Sequence, residues 1–197
     1  MPPSLTWPAG RGEDALAYLR DPQEFRHVEL AQRGEGDFAH LVARLLVFAT
    51  WRLALLDRLA SSRDPVLSAI GAKGVKELTY HREYAAQWVV RLGDGTELSH
   101  ERMQAAVDAV WPLTVELFRP HEIEARLASA GVAADPSVIR DEFAGVLGQV
   151  IEAAGLRLPG DSAAVEAAGR DGVHGSELVE ILEEMQALAR SLPGSTW

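Results

Sequence analysis

Glu77 and His81 stand one helical turn apart in the segment AIGAKGVKELTYHREYAAQW, residues 69–88. Ile70, Gly74, Glu77, His81, Tyr84 and Trp88 recur at steps of four and three, the spacing that places side chains on one face of a helix. A carboxylate and an imidazole on such a face are hard donors of the kind that hold iron inside four-helix carboxylate bundles. Those centres use a Glu from each of two helices and a Glu-x-x-His from each of two others. The spacing here is Glu-x-x-x-His, and Tyr80 occupies the place of the histidine. The pattern resembles a bundle subunit whose iron site has decayed.

Two readings of the pair follow. In one, Glu77 and His81 form a buried polar cluster, and Lys73, four residues before Glu77, supplies the positive charge a metal would have given. Burial of an uncompensated carboxylate is costly, so a buried Glu77 needs a partner or a proton. In the other, the two residues are ligands of a metal site belonging to this chain. The helix expected just before them argues against the second reading, because no Glu lies between Glu35 and Glu77. Literal Glu-x-x-His matches at Glu24/His27 and Glu97/His100 fall in polar, turn-like segments, and 29 acidic residues with six histidines make chance matches expected. The same discount applies to His121/Glu124 and His174/Glu177.

The elements that would position these residues can be read from periodicity and punctuation. Residues 13–32 give two short helical turns split at Asp21-Pro22. Asp37 is a good cap for a strongly apolar helix over 38–60. Pro65 fits the first position of a long helix ending at Gly93. Thr96 or Ser99 opens the next, which Pro112 should kink and Pro120 should end. A short helix over 121–130, another from Asp135-Pro136 to about Ala154, and a last one from Gly175-Ser176 to Leu192 complete the reading. The last carries an apolar stripe of Leu178, Ile181, Leu182, Met185, Leu188, Ala189 and Leu192. No alternating strand, repeat or low-complexity tract is found. The expectation is an all-α bundle over 13–197, preceded by a disordered segment at 1–12.

Composition narrows the function. The 197 residues, 47% of them hydrophobic, suffice for a sizeable core. A formal charge of −10 argues against nucleic-acid binding. No cysteine is present, which excludes disulfides, thiolate metal sites and a cysteine nucleophile and suits a reducing cytoplasm. The longest apolar stretch, 38–60, is interrupted by His40, Arg44, Arg52, Asp57 and Arg58, which argues against a membrane span. No secretory signal, nucleophile elbow or phosphate loop is present. The cations are 17 Arg and two Lys, and both lysines, Lys73 and Lys76, precede Glu77. A local basic pair of this kind could meet an anionic group. Trp51, Trp88 and Trp111 fall in helices and suit core or interface packing.

Several segments together resemble the C subunit family of phenylacetyl-CoA epoxidases: EDALAYLRDPQEFRHVEL, GDFAHLVAR, AIGAKGVKELTYH, WVVRLGDGT, MQAAVDAVW, ELFRPHEIE and the ending HGSELVEILEEMQALARSLPGSTW. The resemblance runs in order over residues 11 to 197. It implies a ferritin-like fold and a non-catalytic structural subunit, without a cofactor of its own. Its partner would be an iron-bearing A subunit that holds the di-iron centre and epoxidises phenylacetyl-CoA. A reductase and a small accessory subunit would complete the complex. It also implies two further core helices ahead of residue 11, where this sequence has MPPSLTWPAG. A bundle lacking those two helices would expose the apolar stripes at 38–60 and 65–92.

Overall fold

The computed structural model describes residues 12–34, 36–160 and 169–192. Among them are seven α-helices and several 3-10 turns, with no strand. The described chain forms two compact units. A central unit spans 35–167, and a terminal unit combines the two chain ends, up to 34 and from 168 onward. The sequence pattern leads one to expect a single domain over 13–197, and the disordered segment expected at 1–12 falls mostly on residues outside those described.

The central unit is built on a helical hairpin of α2 (Phe38–Leu59) and α3 (Pro65–Gly93). Asp37 caps α2 by accepting from the Ala39 and His40 amides at 3.0 and 3.2 Å, and Asp64 caps α3 by accepting from Val66 and Leu67 at 2.9 and 3.0 Å. These bonds satisfy amides that the first helical turn leaves open. Pro65 occupies the first turn of α3, where a missing N–H costs nothing. Helices α4 (Glu97–Val110) and α6 (Arg140–Ala153) pack against both members of the hairpin, and α5 (Glu122–Ser129) lies on the connection between them. Arg58 at the end of α2 pairs with Glu142 of α6 at 2.7 Å.

Helix α2 is the core helix. Val42 and Ala49 are fully buried, and most of its residues from Leu46 to Leu56 are largely buried. By length and composition it is apolar enough to cross a membrane, contrary to the expectation from its charges. Two-thirds of that stretch (67%) is buried within the fold, as for a core helix. The kink expected at Pro112 is instead a change of helix type: α4 stops at Val110 and the chain continues as a 3-10 helix, Trp111–Phe118. Proline lacks the N–H of the α ladder and its ring crowds the preceding turn, and the 3-10 repeat relieves both.

The terminal unit contains α1 (Glu13–Ala17), 3-10 turns at Pro22–Glu24, Glu29–Ala31 and Gly169–Asp171, and α7 (Ser176–Ser191). Gln186 of α7 donates to the carbonyl oxygens of Ala17 and Arg20 at 3.3 and 3.0 Å, and Arg33 pairs with Glu177 at 2.9 Å. His27 and His174 stack with ring centroids 4.8 Å apart.

Candidate functional site

The inner face of α3 is made of small residues. A Cβ at Gly71 would come within 2.6 Å of the Ala60 amide, one at Gly74 within 2.5 Å of a Leu56 methyl, and one at Gly93 within 2.4 Å of the Ala154 carbonyl oxygen. At Gly71 and Gly93 the obstacle is backbone, so glycine is required for α2 and the end of α6 to come this close, whereas at Gly74 it is a side-chain methyl. Ala85 and Val89, both fully buried, complete that face. Of the 29 residues of α3, only Gly71, Ala85, Val89 and Gly93 are buried.

The opposite face is open. Val66, Ile70, Tyr80 and Tyr84 are exposed there, Tyr80 at 71%. Lys73, Lys76, Glu77 and His81 are exposed with them. The stripe drawn from the sequence is thus divided. Gly74 turns toward α2, and Trp88 meets Phe38 of α2 edge to face at 5.0 Å, whereas Ile70, Glu77, His81 and Tyr84 look outward. The buried cluster of Glu77, His81 and Lys73 is not formed. Among the described residues, Glu77 makes no ion pair with either lysine or with His81. The reason is physical: α2, α4 and α6 cover one side of α3, and water solvates the ionic groups on the other. Val66 and Tyr80 belong to this surface, although neither stands out as a surface residue in the sequence. Tyr80 lies three residues after Glu77, a spacing that would have placed it there.

The other candidate motifs have local structural roles. Glu24 accepts from the Asp21 amide at 3.0 Å in a capping box, and Glu124 does the same for His121 at 3.1 Å. His121 caps α5 with Nδ1 accepting from Ile123 at 3.2 Å. His100 holds the end of α3, its Nδ1 lying 2.7 Å from the Gly93 carbonyl oxygen. Glu177 is held by Arg33.

A di-iron centre of the bundle type asks more than these donors give. Helix α2 has no Glu, α3 offers Glu77 with Tyr80 in the histidine position, and Glu97 with His100 sits at the solvent end of α4. Among the described residues, no three His, Asp or Glu side chains gather as a metal site requires. The donor set of these residues does not fit the centre.

Fold and surface together define a class: an all-α, ferritin-like bundle chain whose longest helix keeps one face uncovered. The chain belongs to the phenylacetic acid catabolic protein family, whose profile matches residues 5–197. It is 40% identical over 190 residues to the C subunit of the 1,2-phenylacetyl-CoA epoxidase of Escherichia coli (strain K12). That alignment takes in 96% of this chain and 76% of the relative.

Proposed function

We propose that this chain is a non-catalytic structural subunit of a cytoplasmic phenylacetyl-CoA epoxidase and that it pairs with the iron-bearing subunit through the open face of α3. The observation that carries the reading is that face. Two tyrosines and two β-branched residues lie exposed along one side of a 29-residue helix that is anchored firmly on the other. Exposed aromatic and aliphatic residues interleaved with charges along one face of an anchored helix suit a subunit interface. The ligand set supports a scaffold in preference to a second iron centre, since α2 lacks a Glu and Tyr80 replaces a histidine.

Lys73 and Lys76, the only lysines of the chain, are exposed on the same helix. Ammonium groups at an interface edge are suited to the phosphates of a CoA substrate. Weaker CoA affinity of an intact complex carrying Lys73→Ala and Lys76→Ala supports that role; unchanged affinity rejects it.

Co-expression with the iron-bearing subunit and counting of iron in the purified complex tests the main reading. One di-iron pair per heterodimer is the expected result. Two pairs would mean that Glu77 and His81 belong to a working site completed by the partner. A stable complex that persists with Ile70→Glu/Tyr80→Glu would remove α3 as the pairing face.

A further inference from the structure

Helix α7 carries a second uncovered surface, in the terminal unit. The sequence predicts one broad apolar stripe along it, and the structure divides that stripe lengthwise. Leu178, Leu182 and Gln186 are buried within the unit. Ile181, Met185, Leu188 and Leu192 are exposed, Leu188 at 60% and Ile181 at 46%. Their spacing of four and three residues puts Ile181, Met185 and Leu188 on one line along the helix, about 10 Å long, with Leu192 just past its end. A helix that needed only its own unit would carry polar residues on that line.

The borders of the line identify what fits it. Glu177, Glu180 and Glu184 run along its open side. Glu177 is neutralised by Arg33, whereas Glu180 and Glu184 are exposed and have no partner among the described residues. The basic residue of the last turn, Arg190, is already bonded to Asp21 and to the Arg20 carbonyl oxygen. A second copy of α7 laid antiparallel on this stripe would set the carboxylate flank against itself, where like charges are unfavourable, and a parallel copy would meet the flank already packed inside the unit. The net charge of −10 makes self-association less favourable still.

We infer that the open half of α7 is a docking surface for an amphipathic helix of another protein, one whose apolar stripe is bordered by Lys or Arg. The apolar line supplies burial, and the two unpaired carboxylates select the sign of the partner. The surface belongs to α7 and not to α3, and the inference does not depend on that reading.

The test uses the full chain and two synthetic helical peptides of about 18 residues, each with a leucine stripe, one bordered by lysine and the other by glutamate. Fluorescence anisotropy should give the lysine peptide a Kd at least about tenfold lower than the glutamate peptide. Met185→Asp/Leu188→Asp should abolish that binding while leaving the melting temperature unchanged, because both side chains are exposed. Glu180→Lys/Glu184→Lys should reverse the preference, which tests the charge term with the apolar line intact. Equal affinity for the two peptides, or binding that survives Met185→Asp/Leu188→Asp, would overturn the inference. So would a dimer in sedimentation that this double variant dissolves, since a second copy would then be the occupant.

Discussion

Trp51 donates its indole N–H to the carbonyl oxygen of Leu117 at 2.8 Å, and both residues are buried. The bond ties the middle of α2 to the 3-10 segment that Pro112 makes necessary. Trp51→Phe keeps most of the ring and leaves a buried carbonyl without its donor. A loss of about 1–3 kcal/mol is expected. Urea unfolding should show a lower midpoint with an unchanged slope; a changed slope would mean that the denatured state had been altered instead.

Two glycines in long helices should respond to alanine in opposite directions. At Gly93 the added Cβ would meet the Ala154 carbonyl oxygen at 2.4 Å, so Gly93→Ala must push α3 from α6 and should cost about 1–3 kcal/mol. At Gly145 of α6 nothing lies within 4 Å. Gly145→Ala should stabilise by about 0.5–1 kcal/mol through helix propensity and a less flexible unfolded chain. Thermal melts of the two variants check both signs at once.

Acid should weaken the start of α2. The hydrogen bond from the His40 ring to Asp37, at 2.9 Å, and then the His40 backbone N–H hold the Asp37 carboxyl below its ordinary value. A carboxylate that is more acidic when folded contributes stability above its unfolded value and loses it as pH falls through the depressed one. Asp37→Ala should therefore cost about 1 kcal/mol at neutral pH, as loss of a helix cap does. The gap between variant and parent should close in acid. A gap that stays constant in urea titrations would assign the cap's contribution to something other than its charge.

The hydrogen bonds of the terminal unit fix a tautomer. His174 Nε2 lies 3.0 Å from the Phe25 carbonyl oxygen, which can only accept, so Nε2 carries the proton. His174 Nδ1 and His27 Nε2 lie 3.1 and 3.3 Å from the Gln32 amide oxygen, while the Gln32 NH2 is buried without a partner. Turning the amide by half a rotation lets its two N–H groups donate to the two rings and removes the unsatisfied donor. Nitrogen-15 spectra at neutral pH should show His174 protonated at Nε2 and bare at Nδ1. Protons on both nitrogens would mean that the amide keeps its oxygen toward the rings.

The helices were legible because their ends carry local chemistry. Asp37, Asp64-Pro65, Thr96 and His121 cap or open the elements expected from them, whereas Asp135-Pro136 opens a 3-10 turn and the helix expected from it becomes α-helical only at Arg140. Burial was less legible. A stripe at steps of three and four shows that a helix has a face, but not which neighbour covers it. Glu77 and His81 were expected inside and lie outside, and Ile181 and Leu188 were expected in a stripe of which only half is covered. The His27, Gln32 and His174 cluster had no local signal at all, since Gln32 and His174 are 142 residues apart in the chain. Trp51 to Leu117 is invisible for the same reason.

The pairing of Arg33 with Glu177 spans 144 positions, and Gln186 reaches back to Ala17 across 169. The α2–α3 hairpin, by contrast, closes through the short reversal of residues 60–64. Closing a long loop costs more chain entropy than closing a short one, and contacts remote in sequence form late. During synthesis the hairpin can assemble as soon as α3 has emerged. Residues 12–34 leave the ribosome well before α7 and must wait for it before their polar groups find these partners. The terminal unit can therefore form these contacts only after α7 has emerged, later than the hairpin can close.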